Sequence, residues 1–187
     1  MTDSGVSGGG GQTVIVDLLD ASGEPVELAV GAESDRLSII RSVVERTLYL
    51  ADWTVDEVTD VKIAIDEICS QLISAAVAGA RVHLSLTVGP TGAVARAASP
   101  VIPGFEIDTT GFGWRVVTTL TDAHTIECVD RPDHRDLTVT IGKTRQRDHR
   151  PPGGLDRIVD VDTRLPGACA DRPCDRVPPT TATGMPW

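Results

Sequence analysis

The stretch from Thr54 to Gly79, TVDEVTDVKIAIDEICSQLISAAVAG, decides the fold. Thr54 with Glu57 three residues on is a capping box, in which each side chain satisfies a backbone N–H of the other at the start of a helix. The apolar residues then fall at Val58, Val61, Ile65, Ile68, Leu72 and Ala75. Alternating steps of three and four keep them on one face, so the spacing predicts a helix from Val55 to about Ala78. Gly79 supplies the stop. Opposite the core stripe stand Glu67, Ser70, Gln71 and Ser74, at i, i+3, i+4 and i+7. They share one face. A carboxylate and an amide one turn apart can orient a water or coordinate a metal–phosphate group, although the same pattern suits a plainly solvated face.

Working outward, Ser34 or Asp35 caps a preceding helix to about Ala51, with Leu37, Ile40, Val44 and Leu48 on its buried side. Thr13–Leu19 and Val26–Val30 alternate as strands around a turn at Ser22-Gly23-Glu24-Pro25. Beyond the long helix, Arg81–Val88 and Ala93–Ala98 form a strand pair turned by Gly89-Pro90-Thr91-Gly92. Ser99–Thr110, with two prolines, reads as a loop, and Phe112–Leu120 as a short helix. His124–Val129 and Asp136–Ile141 make a second strand pair. Strands joined by tight turns imply an antiparallel or mixed sheet. Three helices over one of its faces complete a two-layer α+β sandwich.

Composition bounds the function. The chain has 187 residues, a formal net charge of −10 and six aromatic residues. Residues 1–11 are Gly/Ser-rich and expected to be disordered, and residues 145–187 hold seven of the twelve prolines and read as a flexible tail. The folded unit is then 12–144. An acidic balance disfavours sequence-independent nucleic-acid binding, which needs clustered Lys and Arg, and disfavours docking on anionic membranes. No apolar run approaches the ~20 residues of a spanning helix, and the start lacks a secretory pattern, so a cytoplasmic protein is expected. Cys69 and Cys128 sit in apolar patterns and read as buried thiols; Cys and His spacing does not suit zinc. Between Asp52 and Glu67 stand six acidic residues against Lys62 alone. That excess suits helix solubility and, equally, steering of a basic partner.

A second motif follows the loop. Thr109-Thr110-Gly111-Phe112-Gly113-Trp114-Arg115 opens a helix through two glycines, which let backbone N–H groups approach an anion at the positive end of the helix dipole. Alone, such a pair also serves as turn and cap. Taken in order, Asp60–Leu72 resembles the N-box helix of GHKL-type ATPases, and Gly111–Asp122 resembles the glycine-containing helix of the same fold. The similarity is greatest to the small anti-sigma-factor serine kinases. The wording Ala64-Ile65-Asp66-Glu67-Ile68-Cys69, with Trp114 after the glycines, is especially similar to actinobacterial, mycobacterial-type anti-sigma factors. The resemblance runs from about Val26 to Thr144.

The resemblance implies a histidine-kinase-like (Bergerat) ATPase sandwich with ATP and Mg²⁺ as cofactors. Glu67 matches the N-box glutamate that helps to activate the acceptor hydroxyl. Gln71 stands where the family carries its Mg²⁺-coordinating asparagine, one methylene longer than an octahedral site tolerates well. Gly111 and Gly113 match the phosphate-loop glycines, and Ser74 joins the expected cofactor-binding set through the face it shares with Gln71. The family's Asp-x-Gly-x-Gly box, whose aspartate binds adenine, is replaced by Ala97–Gly104, with Asp108 only a late substitute. These departures imply that ATP and Mg²⁺ binding is weakened or lost. The first function implied is an anti-sigma factor, a homodimer that sequesters an alternative (stress- or sporulation-type) RNA polymerase sigma factor until an anti-sigma-factor antagonist competes for it. The alternative is an active ATP-dependent serine-protein kinase that phosphorylates the antagonist. A third is a scaffold that binds some other partner through its long helix.

Overall fold

The computed structural model describes residues 9–20 and 23–146. The expectations for residues 1–8 and for the tail beyond 146 lie outside the described residues. The element order is α1 (Gly9–Asp20), β1 (Val26–Gly31), a 3-10 turn (Ser34–Arg36), α2 (Leu37–Leu50), α3 (Val55–Ser74), β2 (Arg81–Val88), β3 (Gly92–Val101), α4 (Phe112–Leu120), β4 (Ala123–Asp130) and β5 (Arg135–Thr144). Five strands form one sheet in the order β1-β2-β3-β5-β4, and every neighbouring pair is antiparallel. The class is α+β, as expected.

The core lies between the sheet and α2, α3 and α4. Its helical side is the two stripes read from sequence: Leu37, Ile40, Val44 and Leu48 on α2, and Val58, Val61, Ile65, Ile68 and Leu72 on α3, all buried. Its sheet side is the odd positions of β3 and β5, Ala93, Ala95, Ala97, Leu137, Val139 and Ile141, with Val82, Leu84 and Leu86 of β2. Burying one such Ile or Leu side chain contributes about 1.5–3 kcal/mol, so these stripes hold α3 against the sheet.

Several features depart from the sequence reading. Ser34–Arg36 forms a 3-10 turn and no side-chain hydrogen bond from Ser34 or Asp35 caps α2, and residues 9–11, expected to be disordered, open α1. Thr13–Leu19 is helical, part of α1, and not a strand. Its Val-Ile-Val run satisfies either period, and a short apolar run does not distinguish them. Packing decides: Ile15 and Leu18 bury themselves against Val94 and Ala123, on the sheet face opposite the main core. The sheet accepts a helix there because Gly92 and Gly142 have no side chains; a Cβ at Gly92 would run into Leu18 and the Lys143 carbonyl. Helices therefore cover both faces in part, and the strict two-layer picture gains α1. The long helix stops at Ser74, four residues early, because Ala76 bridges to Val101 and the Val77 N–H donates to the Pro100 carbonyl. Gly79 still supplies the left-handed turn, at φ 74°. β3 continues to Val101 where a loop was expected. Pro100 is tolerated because β2 pairing ends at Ala98. Cys128, finally, is exposed, since burial fades along the edge strand β4.

No helix among the described residues is long and apolar enough to cross a membrane.

Candidate functional site

The candidate site is the junction where the outer stripe of α3 meets the first turn of α4. The capping box forms as the sequence requires. The Glu57 N–H donates to Thr54 Oγ1 at 3.4 Å, and the Thr54 N–H and Oγ1 donate to Glu57 Oε2 at 3.1 and 2.8 Å. With its start anchored and its apolar stripe buried, α3 presents Glu67 and Gln71, both half-buried, toward α4. Gln71 Nε2 donates to Glu67 Oε1 at 2.9 Å. Gln71 Oε1 accepts the Asp108 backbone N–H at 3.0 Å. These neighbours dictate the orientation of the amide: a backbone N–H only donates and an ionised carboxylate only accepts.

The loop before α4 is organised by Asp108. Its Oδ1 accepts the N–H groups of Thr110 and Gly111, each at 3.0 Å, and the Thr110 hydroxyl at 2.8 Å. The Thr110 and Gly111 hydrogen bonds hold the Asp108 carboxyl below its ordinary value. Gly113 packs directly against Glu67, and a Cβ there would collide with the carboxylate. A side chain at 113 would push the Glu67 carboxylate out of this seat, which sets a carboxylate at the positive end of the α4 dipole.

Four of the five expected site residues, Glu67, Gln71, Gly111 and Gly113, thus come together in one cluster. Ser74 does not join it: it is exposed, and its hydroxyl turns back to the Gln71 carbonyl at 2.8 Å. Asp108 enters as the organiser of the glycine loop. Its sequence signal was an Asx turn, Asp108 followed by Thr-Thr-Gly. Of the aromatic pair around Gly113, Trp114 is a core residue with its ring edge-on to His124 at 5.2 Å, whereas Phe112 is 83% exposed. Among the described residues, no group of three or more His, Cys, Asp or Glu side chains could hold a metal ion.

The acidic segment 52–67 is largely spoken for by its own fold. Asp66 pairs with Arg41 at 2.6 Å and Asp60 with Lys143 at 3.2 Å. Glu57 is buried in its capping box and also accepts the Gln146 N–H at 2.8 Å. Burial pushes its carboxyl up, but the hydrogen bonds from Thr54 and Gln146 outweigh this and hold it below its usual value. The Arg145 guanidinium donates to the Asp52 carbonyl and lies over the Trp53 ring, so the first two residues of the expected tail are tied to the start of α3. Within this segment, Asp52 and Asp56 alone keep exposed carboxylates without a partner among the described residues. Beside them Leu50 and Val55 are 69% and 64% exposed. The turn between α2 and α3 is therefore an apolar surface edged with negative charge.

No protein-family model matches the chain. Over 97 residues, 52% of its length, the chain is 30% identical to the protein named anti-sigma-F factor RsbW in two strains of Mycobacterium tuberculosis. The chain spans 58% of the length of these curated relatives.

Proposed function

We propose that this chain is an anti-sigma factor built on a GHKL-type scaffold, which binds and sequesters an alternative sigma factor of the stress or sporulation type. The observation that carries the reading is the 30% identity to anti-sigma-F factor RsbW. The surface at the α2–α3 turn supports it. Exposed Leu50 and Val55 supply apolar contact area, and the unengaged carboxylates of Asp52 and Asp56 favour a basic partner. A sigma factor, which binds DNA, has that chemistry. The protein works in the cytoplasm as a homodimer, and an anti-sigma-factor antagonist releases the sigma factor by competition. The kinase alternative gains no support from the junction, because Glu67 is hydrogen-bonded to Gln71 and Gln71 in turn to the Asp108 backbone.

Purified full-length chain mixed with candidate sigma factors tests the reading. One sigma factor is expected to bind with sub-micromolar affinity and to lose transcription activity in the complex. Failure of every stress- and sporulation-type sigma factor of the source organism to bind would overturn it. Size-exclusion chromatography with light scattering checks the dimer. Labelled ATP with a candidate antagonist checks the alternative: phosphotransfer abolished in Glu67→Ala would establish the kinase.

A further inference from the structure

We infer that the α3–α4 junction is a latch closed by the chain's own side chains, which leaves no place for a magnesium–nucleotide, so that partner capture runs without ATP. The latch stands by itself; the regulatory consequence rests on the sigma-capture reading above.

A nucleotide with Mg²⁺ needs three things from this junction: free backbone N–H groups in the glycine loop, an amide oxygen for the cation, and electrostatic room for a polyphosphate. The residues present do not fit these needs. The Thr110 and Gly111 N–H groups already donate to Asp108 Oδ1, so a protein carboxylate takes two of the loop donors that a phosphate would use. The oxygen of the Gln71 side chain already accepts the Asp108 N–H with one lone pair, and its nitrogen is held by Glu67, so the amide is fixed against the loop backbone. Turning the amide would set a donor against a donor and an acceptor against an acceptor. Glu67 lies against Gly113 in the first turn of α4, and Asp108 caps the turn before it. The helix dipole that would attract a phosphate is matched by these two carboxylates, and both repel a further anion.

The chain Glu67–Gln71–Asp108–Gly111 also explains why glutamine stands at position 71. Its amide spans from the Glu67 carboxylate on α3 to the backbone of the α4 loop, and it uses both ends. The residue that departs from a metal ligand is well suited to be a strut between two elements.

Two measurements on the full chain test the latch. The first is hydrogen exchange at the Asp108 amide, which Gln71 holds. Its exchange is expected to accelerate at least tenfold in Gln71→Ala, and likewise in Gln71→Leu, which keeps the side-chain bulk should the alanine variant fail to fold. The second is thermal unfolding with Mg-ATP at about 1 mM. No shift beyond about 1 °C is expected, whereas a site with a Kd of about 10 µM would raise Tm by several degrees. A rise of that size, or an Asp108 amide indifferent to both substitutions, overturns the latch. The regulatory half is read from sigma-factor affinity in Mg-ATP, in Mg-ADP and in EDTA. Agreement within twofold is expected, and a tenfold dependence on nucleotide overturns it. If no sigma factor binds, the proposed function fails while the first two measurements still decide the latch.

Discussion

Glu57 offers the sharpest test of how the structure is held together. It is 5% exposed and accepts three hydrogen bonds, from the Thr54 N–H, the Thr54 hydroxyl and the Gln146 N–H. Glu57→Ala removes the reciprocal half of the capping box, worth about 1 kcal/mol. It also releases a backbone N–H at Gln146 from a charged acceptor, where such a bond contributes about 1.5–3 kcal/mol. Both Thr54 and Gln146 are exposed, so water recovers part of the loss. The expected cost is about 2–3 kcal/mol, or a Tm lowered by roughly 6–12 °C for a folded unit of this size. Circular dichroism melts at pH 7 measure it, with Glu57→Gln as a control that keeps the shape and one acceptor and falls between wild type and alanine. The sign of the pH dependence is fixed by the direction of the shift. The folded-state pKa lies below that of a free glutamate, so the contribution of Glu57 is fully present above the free-glutamate pKa and is lost as the pH falls through the folded pKa. The gap between wild type and Glu57→Ala should therefore narrow on acidification below the ordinary carboxylate range. A Tm loss under 2 °C at neutral pH, or a gap that widens in acid, would refute the reasoning.

Leu50→Glu combined with Val55→Glu should weaken sigma-factor binding at least tenfold in a titration while leaving Tm within a few degrees, since both side chains are mostly exposed. Gly92→Ala should cost about 1–3 kcal/mol in urea unfolding, because the new methyl group meets the Lys143 carbonyl and Leu18 where β3, β5 and α1 converge. Thiol alkylation followed by peptide mapping at pH 7.5 should label Cys128 and spare Cys69 in the native protein. Cys69 is fully buried, and burial pushes its thiol up to about 12.

The stripes of α2 and α3 were legible because each repeats over several turns, and a period sampled that often leaves one solution. The two hairpins were legible because each pairs alternating runs, the first across the turn residues Gly89–Gly92, which close with Gly89 N–H to Gly92 carbonyl at 2.8 Å; the structure closes the second with Arg131 N–H to His134 carbonyl at 2.8 Å. The segment Thr13–Leu19 was not legible, being too short to reveal a period, and the glycines that receive it lie far away at 92 and 142. The acidic run from Asp52 to Glu67 was legible only as a choice between two roles. Its charge is local in sequence, but Arg41, Lys143 and Gln146 that engage it come from other elements. Only the Asp52 and Asp56 carboxylates remain for a partner.

The sequence by itself determined the class of the fold and the long helix with its buried stripe, which are properties of spacing written along the chain. That Glu67, Gln71, Gly111 and Gly113 meet in one site was implied only by the family resemblance. Tertiary structure alone decided what the meeting does. The Asp108 carboxylate caps the glycine loop, Gln71 spends its oxygen on the Asp108 backbone, and Glu67 seats itself against Gly113. A hydrogen-bonding group has few lone pairs and protons to give, and which neighbour takes them depends on distances of about 3 Å that no one-dimensional pattern encodes.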